Sequence, residues 1–104
     1  MNISTASTAR KAEVRFITIR LNGAERSFQG RYAWTLARLI EAGKTGCTPV
    51  EQPAPRWAHY VFWLRREGVD IETVTEKHGG AYAGTHARYV LRSPVEVIQT
   101  REAA

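Results

Sequence analysis

The chain contains little cysteine and no long apolar segment. Cys47 is the only cysteine among 104 residues, so no internal disulfide can form and a reducing compartment is indicated. No apolar run approaches the roughly 20 residues that a membrane-spanning helix needs, and no short apolar core follows a basic start as in a secretory signal. We therefore expect a soluble, cytoplasmic protein without a membrane partner.

The motifs of common enzymes and metal sites are also missing. The soft metal-ligand types are limited to Cys47, His59, His78 and His86, and none has a Cys-x-x-Cys or His-x-x-x-His spacing. Residues 42–46, Ala-Gly-Lys-Thr-Gly, lack the first glycine and the preceding strand of a phosphate-binding loop. We expect no enzymatic activity, no cofactor and no metal.

Acidic residues are outnumbered, with 10 Asp and Glu against 15 Lys and Arg, which gives a net charge of +5. The excess is uneven. Residues 1–31 hold six basic residues against Glu13 and Glu25, and residues 55–68 hold three against Glu67. Such a concentration of positive charge favours a polyanionic partner, of which nucleic acid is the commonest.

The length and the 43% hydrophobic content are typical of one globular domain. Residues 1–12 are small and polar without periodicity, and we predict a disordered tail there. A single domain is expected over residues 13–100, with no internal repeat.

The domain is predicted to begin with a β-hairpin over residues 13–29. Residues 13–21 are rich in β-branched and aromatic residues, and Asn22-Gly23 is the strongest short signal for a hairpin turn. Ile17, Ile19 and Leu21 share one face. Because the other face is also apolar, either core packing or a partner subunit could cover it.

Helices are predicted over residues 31–68. The first, over residues 31–42, places Trp34 opposite its apolar face, where it could pack on the hairpin or lie in an interface. Thr48 can cap a second helix, which nearby prolines limit to about one turn.

The third helix, over residues 55–67, begins with a proline and ends before Gly68. At about 100° per residue, Trp57, Val61 and Leu64 form its buried side, flanked by Ala58 and Phe62. The opposite side carries Arg56, His59, Tyr60, Trp63 and Arg66. A face of this composition indicates contact with a partner.

A second hairpin is predicted over residues 69–92. Residues 69–75 and 86–92 have strand composition, and the glycine-rich stretch between them predicts a flexible loop. Residues 95–99 could form a last short strand.

Three helices followed by a hairpin resemble a winged helix-turn-helix domain, most closely the small modules of bacterial and phage genomes. The resemblance covers residues 31–92. It is carried by Leu36, Leu39 and Ile40, by Val61-x-x-Leu64-Arg65-x-x-Gly68-x-x-Ile71 and by residues 86–91, His-Ala-Arg-Tyr-Val-Leu. It implies an α+β fold with a very short second helix and a wing, to which this chain adds the amino-terminal hairpin.

The resemblance further implies that residues 55–67 are the recognition helix and residues 76–86 the wing tip. The expected partner is double-stranded DNA, bound by a transcriptional regulator or by an architectural factor of a phage or mobile element. A palindromic target would imply a homodimer, with the amino-terminal hairpin as its surface. The residues expected to contact DNA are Arg56, His59, Tyr60, Trp63, Arg66, Lys77 and His78.

The alternative hypothesis is a winged helix that binds another protein. Trp34, Tyr60 and Trp63 would then be the contact residues, because aromatic side chains often dominate protein interfaces. Arg56 would be a charge at the rim.

Overall fold

The computed structural model describes residues 13–51, 56–81 and 83–102. The predicted tail, residues 1–12, lies outside the described residues. The elements are β1 (Val14–Leu21), β2 (Ala24–Gln29), α1 (Gly30–Ala42), a 3-10 helix (Gly43–Thr45), α2 (Trp57–Arg66), β3 (Ile71–His78), β4 (Gly84–Leu91) and β5 (Val95–Glu102). The strands form two antiparallel sheets: one of three strands in the order β2-β1-β5, and one of two strands, β3 and β4.

The amino-terminal hairpin forms as its turn residues predict. Asn22 and Gly23 adopt φ angles of 54° and 81°, the left-handed conformation that a tight two-residue turn requires. The strand predicted at residues 95–99 is longer than expected, and it pairs with β1 instead of with its neighbour β4. The amino-terminal hairpin is therefore two strands of a three-stranded sheet.

The two faces of β1 are covered differently. Ile17, Ile19 and Leu21 are buried against the helices. On the outer face the Arg101 guanidinium lies 4.2 Å from the centre of the Phe16 ring, and the hydroxyls of Thr18 and Ser27 are 2.8 Å apart. Part of the apolar outer face is thus covered by the chain's own β5.

The helix count differs from the prediction of three. The Thr48 hydroxyl accepts a hydrogen bond from the Glu51 amide at 3.0 Å, as a helix cap would, but residues 49–51 form only a turn. Residues 52–55 lie outside the described part of the chain. The described residues therefore contain two α-helices and one 3-10 turn, because the prolines leave too few amides to continue a helix.

The wing hairpin is present, but its loop is shorter than the predicted residues 76–86. The ladder continues from Ile71–Leu91 to His78–Gly84, so only residues 79–83 connect the strands. Residues 76–78 are all polar and carry no alternating pattern, so cross-strand pairing decides where the strands end.

One core joins both sheets and both helices, and aromatic rings lie at its centre. Trp57 stacks on Tyr89 with ring centres 5.9 Å apart, and Trp34 lies 5.7 Å from Trp57. Trp34 is only 7% exposed, so the interface, one of the two placements that the sequence left open for it, is wrong. The ring fills space between α1 and α2, and the Arg31 guanidinium lies 4.2 Å from its centre.

The connection after α1 is held against the wing by a close backbone approach. Gly46 has a φ of 74°, and a Cβ there would lie 2.6 Å from the Tyr89 carbonyl oxygen. Only glycine therefore fits, and the next residue, Cys47, exchanges backbone hydrogen bonds with Tyr89 at 2.8 and 2.9 Å. These bonds fix β4 relative to α1. Neither of the described α-helices is long and apolar enough to cross a membrane.

Candidate nucleic-acid interface

Helix α2 has one face in the core, as its periodicity predicts. Trp57, Val61 and Leu64 are all at most 3% exposed. The helix begins after Arg56, which adopts the left-handed conformation with a φ of 69°. At the other end, the Val69 amide bonds the Leu64 carbonyl at 3.1 Å, which turns the chain into β3. The core contacts fix which side chains of α2 face outward.

The outward side of α2 combines cations with exposed rings. Phe62, predicted to flank the buried side, is 52% exposed. The Arg66 guanidinium lies 5.0 Å from the Trp63 ring centre and 5.9 Å from that of Phe62. These distances are within the range of cation–π contacts, so the rings hold Arg66 over the helix surface.

Arg65 is a candidate interface residue that the sequence interpretation missed. Its Nε donates a hydrogen bond to the Ile71 carbonyl at 3.0 Å, and its Nη2 donates one to the Thr73 hydroxyl at 2.8 Å. These bonds place a guanidinium between α2 and β3. The adjacent basic pair Arg65-Arg66 could have indicated a second cation at this surface. Helical periodicity places Arg65 close to the buried side, so the sequence alone did not select it.

Lys77 and His78 lie within β3 and on opposite faces of it. Thr73, Thr75 and Lys77 share the face that Arg65 contacts, because alternate residues of a strand point the same way. His78 points to the other face. Lys77 therefore shares the strand face that Arg65 contacts, and His78 lies on the opposite face.

On that other face, His78 belongs to a connected polar network. Its Nδ1 is 2.8 Å from the Nδ1 of His86, whose Nε2 is 3.1 Å from Glu76. Arg88 donates to Glu76 at 2.6 Å and to the Thr45 carbonyl at 3.0 Å. The hydrogen bond from Arg88 is the main cause that lowers the pKa of the Glu76 carboxyl. This network fixes the wing to the 3-10 helix.

His59, Tyr60 and Trp63 are directed toward α1 and β2. The Tyr32 ring makes an edge contact with Tyr60 at 5.3 Å, and the Tyr32 hydroxyl is 3.4 Å from the Nε2 of His59. Trp63, 39% exposed, borders an open groove of about 540 Å³ between β2 and α2. We call this the aromatic groove; its lining residues are Ser27, Phe28, Gln29, Tyr32, Trp63, Leu64 and Glu67.

Ion pairing divides the basic residues into two groups. Seven arginines pair with carboxylates, namely Arg15, Arg20, Arg26, Arg31, Arg38, Arg88 and Arg92. Within the described residues, Arg56, Arg65, Arg66 and Lys77 form no ion pair, and the same is true of Lys44 and Arg101 outside this surface. We call the first four residues the basic face.

The remaining reactive group is buried. Burial raises the pKa of the Cys47 thiol to about 11, and its sulfur lies 3.4 Å from the Arg38 carbonyl. A thiol with this pKa is almost entirely protonated at neutral pH, which makes it a poor nucleophile. Among the residues that the structure describes, no three His, Cys, Asp or Glu side chains are grouped so that they could hold a metal ion.

Comparison with known proteins gives one match. A family model described as a winged helix domain matches residues 25–101, which include both helices, the wing and most of β5. No curated protein and no solved structure shows a significant match. Winged helix domains typically bind DNA. The chain belongs to the winged helix domain family.

Proposed function

We propose that this domain binds double-stranded DNA with α2 in the major groove. The observation that carries the proposal is the basic face, where Arg56, Arg65, Arg66 and Lys77 lack carboxylate partners among the described residues. Seven arginines elsewhere are neutralised by their own fold. Cations that remain unpaired attract phosphates, and their binding releases counterions from DNA.

The positions of these cations suit them to different contacts in the proposed complex. Arg56 lies at the amino-terminal end of the helix, the end that usually approaches base edges, and a guanidinium can bond guanine in two places. Arg66 is near the other end and suits the phosphate backbone. Arg65 bonds β3 and Lys77 lies within that strand, where the hydroxyls of Thr73 and Thr75 could also donate to phosphates.

The other predicted contacts have weaker support. His59 and Tyr60 are half-buried against Tyr32, Trp63 borders the aromatic groove, and His78 is bonded on the far face of the wing. Their contact with DNA stays a prediction. We infer that the basic face supplies most of the affinity.

The experiment is fluorescence-anisotropy binding to duplex DNA at about 50 and 200 mM salt. Arg56→Ala/Arg66→Ala should lower the affinity by about tenfold or more and reduce the slope of log affinity against log salt by about 2. The matched control is Arg15→Ala/Arg20→Ala, which removes the same charge from ion-paired residues of β1. It should have a much smaller effect.

Two results would contradict the proposal: no binding at low salt, or equal loss in both double variants. The same assay on duplexes of several different sequences also separates two possible roles in the cell. Preference for one sequence would indicate a transcriptional regulator, whereas equal binding would indicate an architectural factor, as in a phage or mobile element.

A further inference from the structure

We propose that the free edge of β2 pairs with β2 of a second copy of this chain and that this pairing closes the aromatic groove. The proposal goes beyond DNA binding and is tested without DNA. It concerns the side of α2 that lies away from the wing, where Trp63 remains partly exposed beside the outer edge of β2, which pairs with no strand of the described residues.

The two edges of the three-stranded sheet are not equivalent. β5 has a register irregularity against β1 between Thr18 and Ile19, and such bulges twist an edge away from pairing. β2 pairs with β1 in an unbroken register from Phe16–Gln29 to Leu21–Ala24. In the described part of the chain no strand covers its outer edge. β2 is therefore the edge with the regular geometry that strand addition requires.

The hairpin register shows which backbone groups of β2 are free. A two-residue turn makes Leu21–Ala24 a hydrogen-bonded pair, and such pairs then alternate along the ladder. Glu25, Ser27 and Gln29 consequently direct their amides outward. The short contact between the Thr18 and Ser27 hydroxyls fits this assignment, because side chains are closest in non-hydrogen-bonded pairs. Ser27 and Gln29 also line the aromatic groove.

Antiparallel pairing of β2 with itself has one register that uses all three outward residues. Ser27 then lies opposite Ser27 of the second copy and exchanges a reciprocal pair of hydrogen bonds with it. Arg26 lies opposite Phe28, and Glu25 lies opposite Gln29. Such a two-fold arrangement is closed, since the same patch is used by both copies.

The side chains of the aromatic groove favour a second copy of the chain as the occupant. Arg26 and Phe28 lie opposite the buried Ile19 and Ile17, so they are on the groove side of the sheet. In the proposed register the second copy adds another arginine and another phenylalanine to that side. The groove offers the Trp63 and Tyr32 rings and one carboxylate, Glu67, which already pairs with Arg26 at 3.5 Å. The arginine and ring of the second copy complement these groups.

The test is sedimentation velocity over a wide range of protein concentration, without DNA, on the full chain. Ser27→Pro removes the outward amide and leaves the bonds between β1 and β2 intact, since proline is tolerated where a strand amide faces solvent. Ser27→Ala is the matched control: it loses the same hydroxyl contact but keeps the amide. We expect wild type and Ser27→Ala to dimerise alike and Ser27→Pro to raise the dissociation constant by about tenfold or more.

A second variant and a direct measurement guard against misfolding of Ser27→Pro. Trp63→Ala should weaken the dimer from the groove side. In a mixture of differently labelled copies, isotope-filtered NOEs should connect Arg26 of one copy with Phe28 of the other. A monomeric wild type, or equal association of Ser27→Pro and Ser27→Ala, would overturn the proposal and leave the groove to a strand of another protein. Either result would leave DNA binding by the basic face untouched.

Discussion

The basic face and the aromatic groove lie on two sides of the same helix and differ in how their side chains are satisfied. On the basic face, Arg56, Arg66 and Lys77 have no carboxylate partner among the described residues. Beside the aromatic groove, Arg26 is paired with Glu67, and the partly exposed group is the Trp63 ring. Within the described residues, one surface retains unpaired charge, and the other retains exposed apolar area beside a strand edge with no strand partner.

This difference indicates that the two hypotheses from the sequence describe different surfaces. An arginine-rich surface binds through long-range forces that salt screens, whereas an aromatic groove binds by removing apolar area from water. In the two proposals, a DNA duplex and a second copy of the chain would therefore contact different sides of α2. The core beneath the helix is common to both surfaces.

The largest effect should come from that shared core. Trp57→Ala removes a ring that stacks on Tyr89 and contacts Trp34, and we expect it to lower the free energy of unfolding by about 3–5 kcal/mol. Urea denaturation measures the change. Phe62→Ala, at a site 52% exposed, is the control and should stay within about 0.5 kcal/mol. An equal decrease in the free energy of unfolding for both variants would contradict the difference in burial between Trp57 and Phe62.

Variants of the basic face and of the aromatic groove should each be measured for both DNA binding and dimerisation, which tests whether the two surfaces act independently. Ser27→Pro is expected to weaken dimerisation by about tenfold with little change in DNA affinity, because Ser27 lies on β2, away from the basic face. Arg65→Ala should weaken DNA binding by about tenfold and leave the dimer intact, because its contacts are with β3. Anisotropy and sedimentation supply the two readouts. Loss of both activities in both variants would mean that the surfaces are coupled.

The smallest effect concerns the backbone at the start of α2. Arg56 has a φ of 69°, a conformation that costs most residues about 1–2 kcal/mol and glycine far less. Arg56→Gly should therefore raise the free energy of unfolding by about 0.5–1 kcal/mol while it lowers DNA affinity. Asn22→Gly, at the other described non-glycine residue with positive φ, should leave DNA affinity unchanged. A destabilised Arg56→Gly protein would contradict the assignment of strain.

Local patterns in the sequence predicted the features that depend on neighbouring residues. The Asn22-Gly23 turn and the buried stripe of Trp57, Val61 and Leu64 follow from backbone conformation and helical period. The pattern left the environment of Trp34 open, and the structure buries it against Trp57, whereas Phe62, beside the buried stripe, is exposed. A helical wheel gives the angle of a side chain, but the environment at that angle is set by the elements that pack beside the helix.

The sequence by itself determined the positive charge, the two hairpins and the amphipathic α2, because composition, turn residues and periodicity are local properties. Only the tertiary structure decided which charges stay unpaired, since partners such as Arg26 and Glu67 are distant in the chain. It also decided that β5 returns to β1 and that no other described strand covers the outer edge of β2, because strand order depends on contacts between remote segments. The basic face and the aromatic groove both arise from these remote contacts.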